Sequence, residues 1–222
     1  MRWDNHQIYI TITTMRDRSL IIFDCDGVLR SASWEGLFKA YLLIAKYLGK
    51  DHRGFFKNIN EFKKWWNPDW KENNKALGII DSEATDKIFY SCYEPYLALF
   101  PWVPDILKKL SRKYTIAMVT NATDKSVRNS LGKMTEHFSL IAGSEHVKKL
   151  KPDPEGVNFI LKNLDIHPSE ALMIGDMRVD VLAGKNAGTK VGVVSWGLGE
   201  WEDLIKLSPD YKFEKPEDLL SI

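Results

Sequence analysis

The sequence predicts an α/β protein: a doubly wound parallel sheet, a Rossmann-like core, with an α-helical cap domain inserted after the first strand. Three observations carry this. Short uninterrupted apolar runs recur along the chain, as strands covered on both faces require. Segments with apolar residues at helical spacing separate them after residue 101, the alternation of a parallel sheet. Between residues 31 and 100 the strand pattern disappears and only helical periodicity remains. At 222 residues the chain exceeds a typical single domain and falls short of two, which suits a main domain of 1–30 and 101–222 carrying a smaller insert of 31–100.

The first element is Leu20-Ile21-Ile22-Phe23, a buried strand that stops at Asp24-Cys25-Asp26-Gly27. Ahead of it, Gln7–Thr14 alternates like a short strand, and Met15 is a candidate start of the chain. The insert begins with Phe38, Tyr41, Leu42, Ala45 and Leu48 at helical spacing and closes with Thr85, Ile88, Phe89 and Cys92 in the same pattern. Between them lie Trp65, Trp66 and Trp70, read as core of a small helical unit in preference to a ligand-facing wall. Arg53 and Lys57–Glu61 read as a solvated helical face.

After Pro101 a helix carrying Val103, Ile106, Leu107 and Leu110 feeds the strand Thr115–Val119, which ends at Thr120-Asn121. A helix over Asp124–Leu131, a strand near Phe138–Ala142 and a helix carrying Val157, Ile160, Leu161 and Leu164 follow, then the strand Ala171–Gly175, which ends at Asp176. Short strands are expected at Lys190–Val194 and Tyr211–Phe213, with Ala183, Ala187 and Gly188 making a tight helix exit between them and Asp176. Gly197-Leu198-Gly199 reads as a loop, because glutamate at position 202 leaves a dinucleotide fingerprint incomplete.

Composition narrows the function. Against 30 acidic residues stand 31 basic ones, so no field recruits nucleic acid. No apolar stretch approaches the ~20 residues of a membrane span, and Met1–Arg18 lacks the apolar core and cleavage site of a signal peptide. Cys25 and Cys92 lie far apart and make no metal or disulfide spacing, which with the rest points to the cytoplasm. The five histidines, His6, His52, His137, His146 and His167, show no ligand spacing and receive no role.

Chemistry concentrates where the strands end. In extended chain, residues two apart point the same way, so Asp24 and Asp26 face one cavity, and Gly27 lets the chain leave the sheet sharply. Two adjacent carboxylates repel unless a cation intervenes. Magnesium, which prefers hard oxygen ligands, is the natural candidate. Lys151 sits at a loop-helix junction, since Pro152 biases it away from helix and Pro154 suits a first turn. Lys148 and Lys149 read as solvated. A carboxylate nucleophile, a second carboxylate for proton transfer, a hydroxyl and a cation to hold an anion, and a further acid for metal together describe phosphoryl transfer.

At these residues the chain resembles the haloacid dehalogenase superfamily of phosphohydrolases. Four motifs occur in order: Asp24-Cys25-Asp26-Gly27-Val28-Leu29, Val119-Thr120-Asn121, Lys151-Pro152-Asp153-Pro154 and Gly175-Asp176-Met177-Arg178-Val179-Asp180. Val191–Gly197 and Pro216–Leu220 are similar to the phosphoglycolate-phosphatase-like branch. The resemblance implies that Asp24 attacks phosphorus, and that Asp26 protonates the leaving oxygen and then activates water. It implies magnesium held by Asp24, the Asp26 carbonyl and Asp176, supported by Asp180. Thr120, Asn121 and Lys151 would hold the phosphoryl group of a small phosphorylated metabolite. Relatives that dehalogenate usually lack an acid at the position of Asp26, so phosphate monoesters are the expected substrates and a monomer or homodimer the expected form. A sugar phosphomutase on the same core and a non-catalytic phospho-accepting module are the alternatives. The cap decides between the first two; the presence of both Asp26 and Lys151 weighs against the last.

Overall fold

The computed structural model describes residues 19–80 and 83–222. The alternating segment Gln7–Thr14 and the candidate start at Met15 lie outside them. Strands β1 (Leu20–Phe23), β2 (Thr115–Val119), β3 (Leu140–Ala142), β4 (Ala171–Gly175), β5 (Lys190–Val194) and β6 (Tyr211–Phe213) form one parallel sheet in the order β3-β2-β1-β4-β5-β6. β1 lies between β2 and β4, with Phe23 opposite Met118 on one side and Ile174 on the other. The order reverses between β1 and β4. That switch point is where open α/β sheets leave a crevice beyond the strands' carboxyl ends.

Between β1 and β2 the chain builds the cap from α1 (Trp34–Tyr47), α2 (Ile59–Trp65), α3 (Trp70–Ala76) and α4 (Glu83–Tyr93). The first three start on side-chain caps, Ser33, Asn58 and Asp69, each accepting hydrogen bonds from the N–H groups of its helix's first turn. Their apolar faces meet in a cluster of their own: Leu37, Tyr41, Ile44, Phe56, Phe62, Leu77 and Tyr93 are buried together.

The core helices are α5 (Val103–Leu110), α6 (Asp124–Leu131), α7 (Glu155–Leu164), α8 (Arg178–Asn186) and α9 (Trp201–Lys206). β1 explains why the sheet is covered twice. Ile21 and Phe23 join the cluster formed with α5 and α6, whereas Leu20 and Ile22 join the one formed with α7 and α8. All four are buried, so every residue of the strand is apolar, as two covered faces demand. Sequence patterning foresees no helix at α9, whose six residues are too few to establish a period. The strand expected near Phe138 begins at Leu140, because a 3₁₀ turn over Gly132–His137 holds the chain until then. Among the described residues no helix is long and apolar enough to cross a membrane.

Candidate active site

Asp24 follows β1 directly and continues its ladder, its N–H donating to Ile174 O at 2.9 Å. Lys151 reaches it from the loop ahead of α7. Its Nζ lies 2.6 Å from Asp24 Oδ1 and 2.6 Å from Asp180 Oδ1, and donates to Val119 O at 3.3 Å. The lysine is only 4% exposed, so the two carboxylates replace the water it has lost. Asp180 stands in the first turn of α8, where Oδ2 accepts from Met177 N–H at 2.9 Å. It therefore caps its helix and grips Lys151 with separate oxygens.

Asp176, at the end of β4, completes the set. Its Oδ2 accepts from Leu198 N–H at 2.7 Å, while Oδ1 is buried without a hydrogen-bond partner among the described residues. Carboxylate oxygens of Asp24, Asp176 and Asp180 lie within 4.8 Å of one another. Three hard oxygen donors, one of them an orphaned buried oxygen, fit a divalent cation. The chain crowds this corner with glycine: a Cβ on Gly27, where φ is +83°, would sit 2.2 Å from Asp176 Oδ2, and one on Gly197 would sit 2.1 Å from Asp176 Cβ. Gly197-Leu198-Gly199, a loop as expected, thus has a function that the sequence reading missed. Its two glycines admit Asp176 and the intervening Leu198 supplies the N–H.

Electrostatics follow from this crowding. Burial pushes the Asp24 carboxyl up to about 7 against the pull of Lys151, and Asp180 adds to the rise. Burial, then Asp180 and Asp24, raise Asp176 well above the ordinary carboxylate range. Burial opposes the charge on Lys151, yet Asp180 and Asp24 outweigh it and hold the ammonium above its usual value. Cys25, between the two acids of the first motif, is buried and its thiol is pushed up by that burial. It is no nucleophile.

Asp26 lines the same cavity as Asp24, but its carboxylate is held apart by Arg30, another residue the sequence reading missed. Arg30 Nε and Nη2 donate to Asp26 Oδ1 at 2.5 Å and Oδ2 at 3.0 Å. Arg30 itself is 1% exposed and its Nη1 is anchored on α6, 2.6 Å from Ser130 Oγ and 3.2 Å from Ser126 O. The signal available in sequence is the four-residue spacing of an acid and an arginine across the turn that leaves β1.

Thr120, at the end of β2, is buried, and its Oγ1 accepts from Ala122 N–H at 3.1 Å. Asn121 is tied into the scaffold: its Oδ1 accepts from Lys151 N–H at 2.9 Å, and its Nδ2 donates to Lys151 O and Pro68 O, both at 3.1 Å. The bond to Pro68 reaches the cap. Trp70 Nε1 returns one to Asn121 O at 3.2 Å, Tyr90 Oη pairs with Thr123 Oγ1 at 3.2 Å, and Trp34 Nε1 donates to Leu198 O at 3.1 Å. The cap is fastened over the acids. Of the three tryptophans, Trp65 and Trp66 pack against the cap cluster, and Trp66 and Trp70 line the cavity over Asp24.

This arrangement matches known proteins. The family model described as haloacid dehalogenase-like hydrolase matches residues 21–194. The chain belongs to the haloacid dehalogenase-like hydrolases. It is 33% identical over 216 residues to pyrophosphatase PpaX of Bacillus velezensis, covering 91% of this chain and 94% of that one. To pyrophosphatase PpaX of Bacillus cereus it is 37% identical over 219 residues, with the same coverage. A haloacid dehalogenase-like family hydrolase from Streptococcus pneumoniae superposes with a TM-score of 0.72 at 25% identity, covering 92% of this chain and 97% of that one. Within the family this chain is a phosphatase.

Proposed function

We propose that this phosphatase hydrolyses a small phosphate monoester with magnesium, through an aspartyl-phosphate on Asp24. The observation that carries the reading is the buried ion set at the end of β1, in which Lys151 bridges Asp24 and Asp180 at 2.6 Å each beside the orphaned oxygen of Asp176. Lys151 holds Oδ1 of Asp24, so Oδ2 is the oxygen left to attack. The new Oδ2–P bond forms as the P–O bond to the leaving group breaks. Asp26 delivers a proton to the departing oxygen and then takes one from the water that attacks phosphorus, releasing inorganic phosphate and restoring the Asp24 carboxylate. Arg30 fixes where Asp26 can stand during both transfers. The Thr120 hydroxyl and the Lys151 ammonium offset charge on the phosphoryl oxygens.

Asp24, Asp176 and the Asp26 carbonyl would hold the magnesium, with Asp180 in support, and the ion would supply charge neutralisation at the phosphoryl group. The two separated cysteines support a cytoplasmic setting, with a small phosphorylated metabolite as partner.

The test is release of inorganic phosphate from a panel of monoesters and from pyrophosphate, with and without magnesium. Magnesium-dependent release is expected. Conversion of a sugar phosphate to its isomer without release would move the reading to the phosphomutase, and no turnover of any compound would overturn it.

Magnesium should also stabilise the fold, and the sign with pH can be worked out. The folded chain holds the Asp24 proton up to about 7, more tightly than an unfolded chain with an ordinary carboxylate. In the metal-free protein this favours folding fully below about pH 4 and is lost as the pH rises through 7. A bound cation reverses the disadvantage of the ionised acids. At a hundredfold excess over its dissociation constant magnesium adds about 2.7 kcal/mol, or about 5 to 10 °C in Tm for a chain of this size. Thermal denaturation at pH 5 and pH 8 should show the larger magnesium shift at pH 8; equal shifts would remove the three-acid site.

A further inference from the structure

The cavity between cap and core, about 190 Å³, carries information on the leaving group. Among the described residues that line it, the cationic side chains are Arg30 and Lys151, and both are committed. Arg30 is spent on Asp26 and α6, Lys151 on Asp24 and Asp180. What the cap contributes is different in kind. Apolar and aromatic side chains, among them Leu37, Tyr41, Trp66, Trp70, Phe89 and Tyr90, make up most of the cap residues that line the cavity; Asn74 and Thr85 add polar groups, and the charged side chain is an acid, Asp86.

The polar tips of two of these rings, Trp70 and Tyr90, are turned to the core. Trp70 gives its N–H to Asn121 O and Tyr90 pairs its hydroxyl with Thr123, which fixes both rings and leaves their apolar surface to the cavity. A leaving group that is itself a phosphate would have to shed water there and meet chiefly hydrocarbon, a transfer that unpaired anions resist. A flat uncharged ring meets its own kind, edge to face. An apolar cavity of about 150 Å³ is enough for one benzene ring; because the same space, lined by Asp24, Thr120 and Lys151 at its floor, also holds the phosphoryl group, the leaving group is no larger than a single ring.

We infer that the preferred substrates are phosphate esters whose leaving group is an uncharged single aromatic or heteroaromatic ring, attached directly or through one carbon. This rests on the phosphatase reading above for its chemistry, but the recognition can be measured without turnover. Non-hydrolysable analogues separate ring recognition from leaving-group activation: benzylphosphonate, methylphosphonate and methylenediphosphonate, titrated calorimetrically into the protein at fixed excess free magnesium. Benzylphosphonate is expected to bind at least about tenfold more tightly than either of the others. Phe89→Leu, which keeps an apolar side chain on α4, should cut the ratio of benzyl to methyl affinity several-fold, whereas Asn74→Lys, which places a cation on the same wall, should favour methylenediphosphonate.

Equal affinity for benzyl and methyl analogues, or tighter binding of the diphosphonate by the unmodified chain, would overturn the inference. The two readings fail separately. Ring preference in binding with no phosphate released from any ester would sink the phosphatase and keep the pocket; release of phosphate with no ring preference would do the reverse.

Discussion

Asp24→Asn should lower turnover by about 10⁴-fold or more while leaving the fold intact, since it removes the attacking oxygen's charge and changes almost no volume. The amide oxygen can still accept from Lys151, which keeps its second carboxylate, Asp180, at 2.6 Å. The sign of the stability change is the sharper part of the expectation. In the metal-free protein Asp24, Asp176 and Asp180 are buried with one ammonium among them, and burial has already pushed Asp24 up to about 7. Above that pH its charge is a burden on the folded state. The substitution should therefore raise Tm at pH 8 without metal, leave it little changed at pH 5, and shrink the magnesium shift. Activity and stability would move in opposite directions at one atom, the mark of a group kept for chemistry. Near-normal phosphate release from Asp24→Asn would end the nucleophile assignment, and a lower Tm at pH 8 would mean that Asp24 is there to satisfy Lys151.

How much of this was legible beforehand depends on which interactions are local in sequence. Strands with two covered faces must be apolar throughout, so Leu20–Phe23, Thr115–Val119 and Ala171–Gly175 are visible as runs, and their ends mark one edge of the sheet. That edge gathers Asp24, Thr120 and Asp176, and Lys151 joins them through its loop. The three-acid cluster is thus largely a consequence of strand ends. Partnerships across the chain are another matter. Nothing in the spacing shows that Lys151 would bridge Asp24 and Asp180, or that Leu198 would offer its N–H to Asp176. Nor does it show that the amide of Asn121 would be spent on Lys151 and the cap. The tryptophans illustrate the limit best. Helical spacing cannot tell a ring that only packs in a small bundle, as Trp65 does, from one that packs there and also lines the cavity, as Trp66 does, because both faces of a cap are apolar when one covers a cavity.

Arg30 shows a further kind of blindness. Arginine is almost never fully buried unless paired, so a sequence reading assigns it to the surface. Here it is 1% exposed, held by Asp26 on one side and by Ser126 and Ser130 of α6 on the other. The turn after β1 is consequently locked to the core helix, and the cap's first segment leaves from a fixed point, where Ser31 N–H meets Ala98 O at 2.7 Å. Both connections to the cap therefore lie beside the second acid.

Lys151→Met carries the largest expected loss of stability. The methionine fills the space of the lysine stem, but its thioether cannot hold Asp24 and Asp180, and two buried carboxylates are left facing each other with Asp176 alongside. Removing one partner of a buried ion pair costs about 3 to 5 kcal/mol, which for a chain of this length is a fall in Tm of about 6 to 20 °C. Phosphate release should drop by at least about 10²-fold, because the charge that steadies the nucleophile and the phosphoryl oxygens is gone. Magnesium distinguishes the electrostatic account from a packing defect. If the lysine is chiefly the counter-ion of the acids, a divalent cation takes over part of its task, and the magnesium shift in Tm should be larger in Lys151→Met than in the parent chain. If the variant instead loses the same number of degrees with and without magnesium, the loss is one of packing, and the ion set at the end of β1 is not the electrostatic centre of the site.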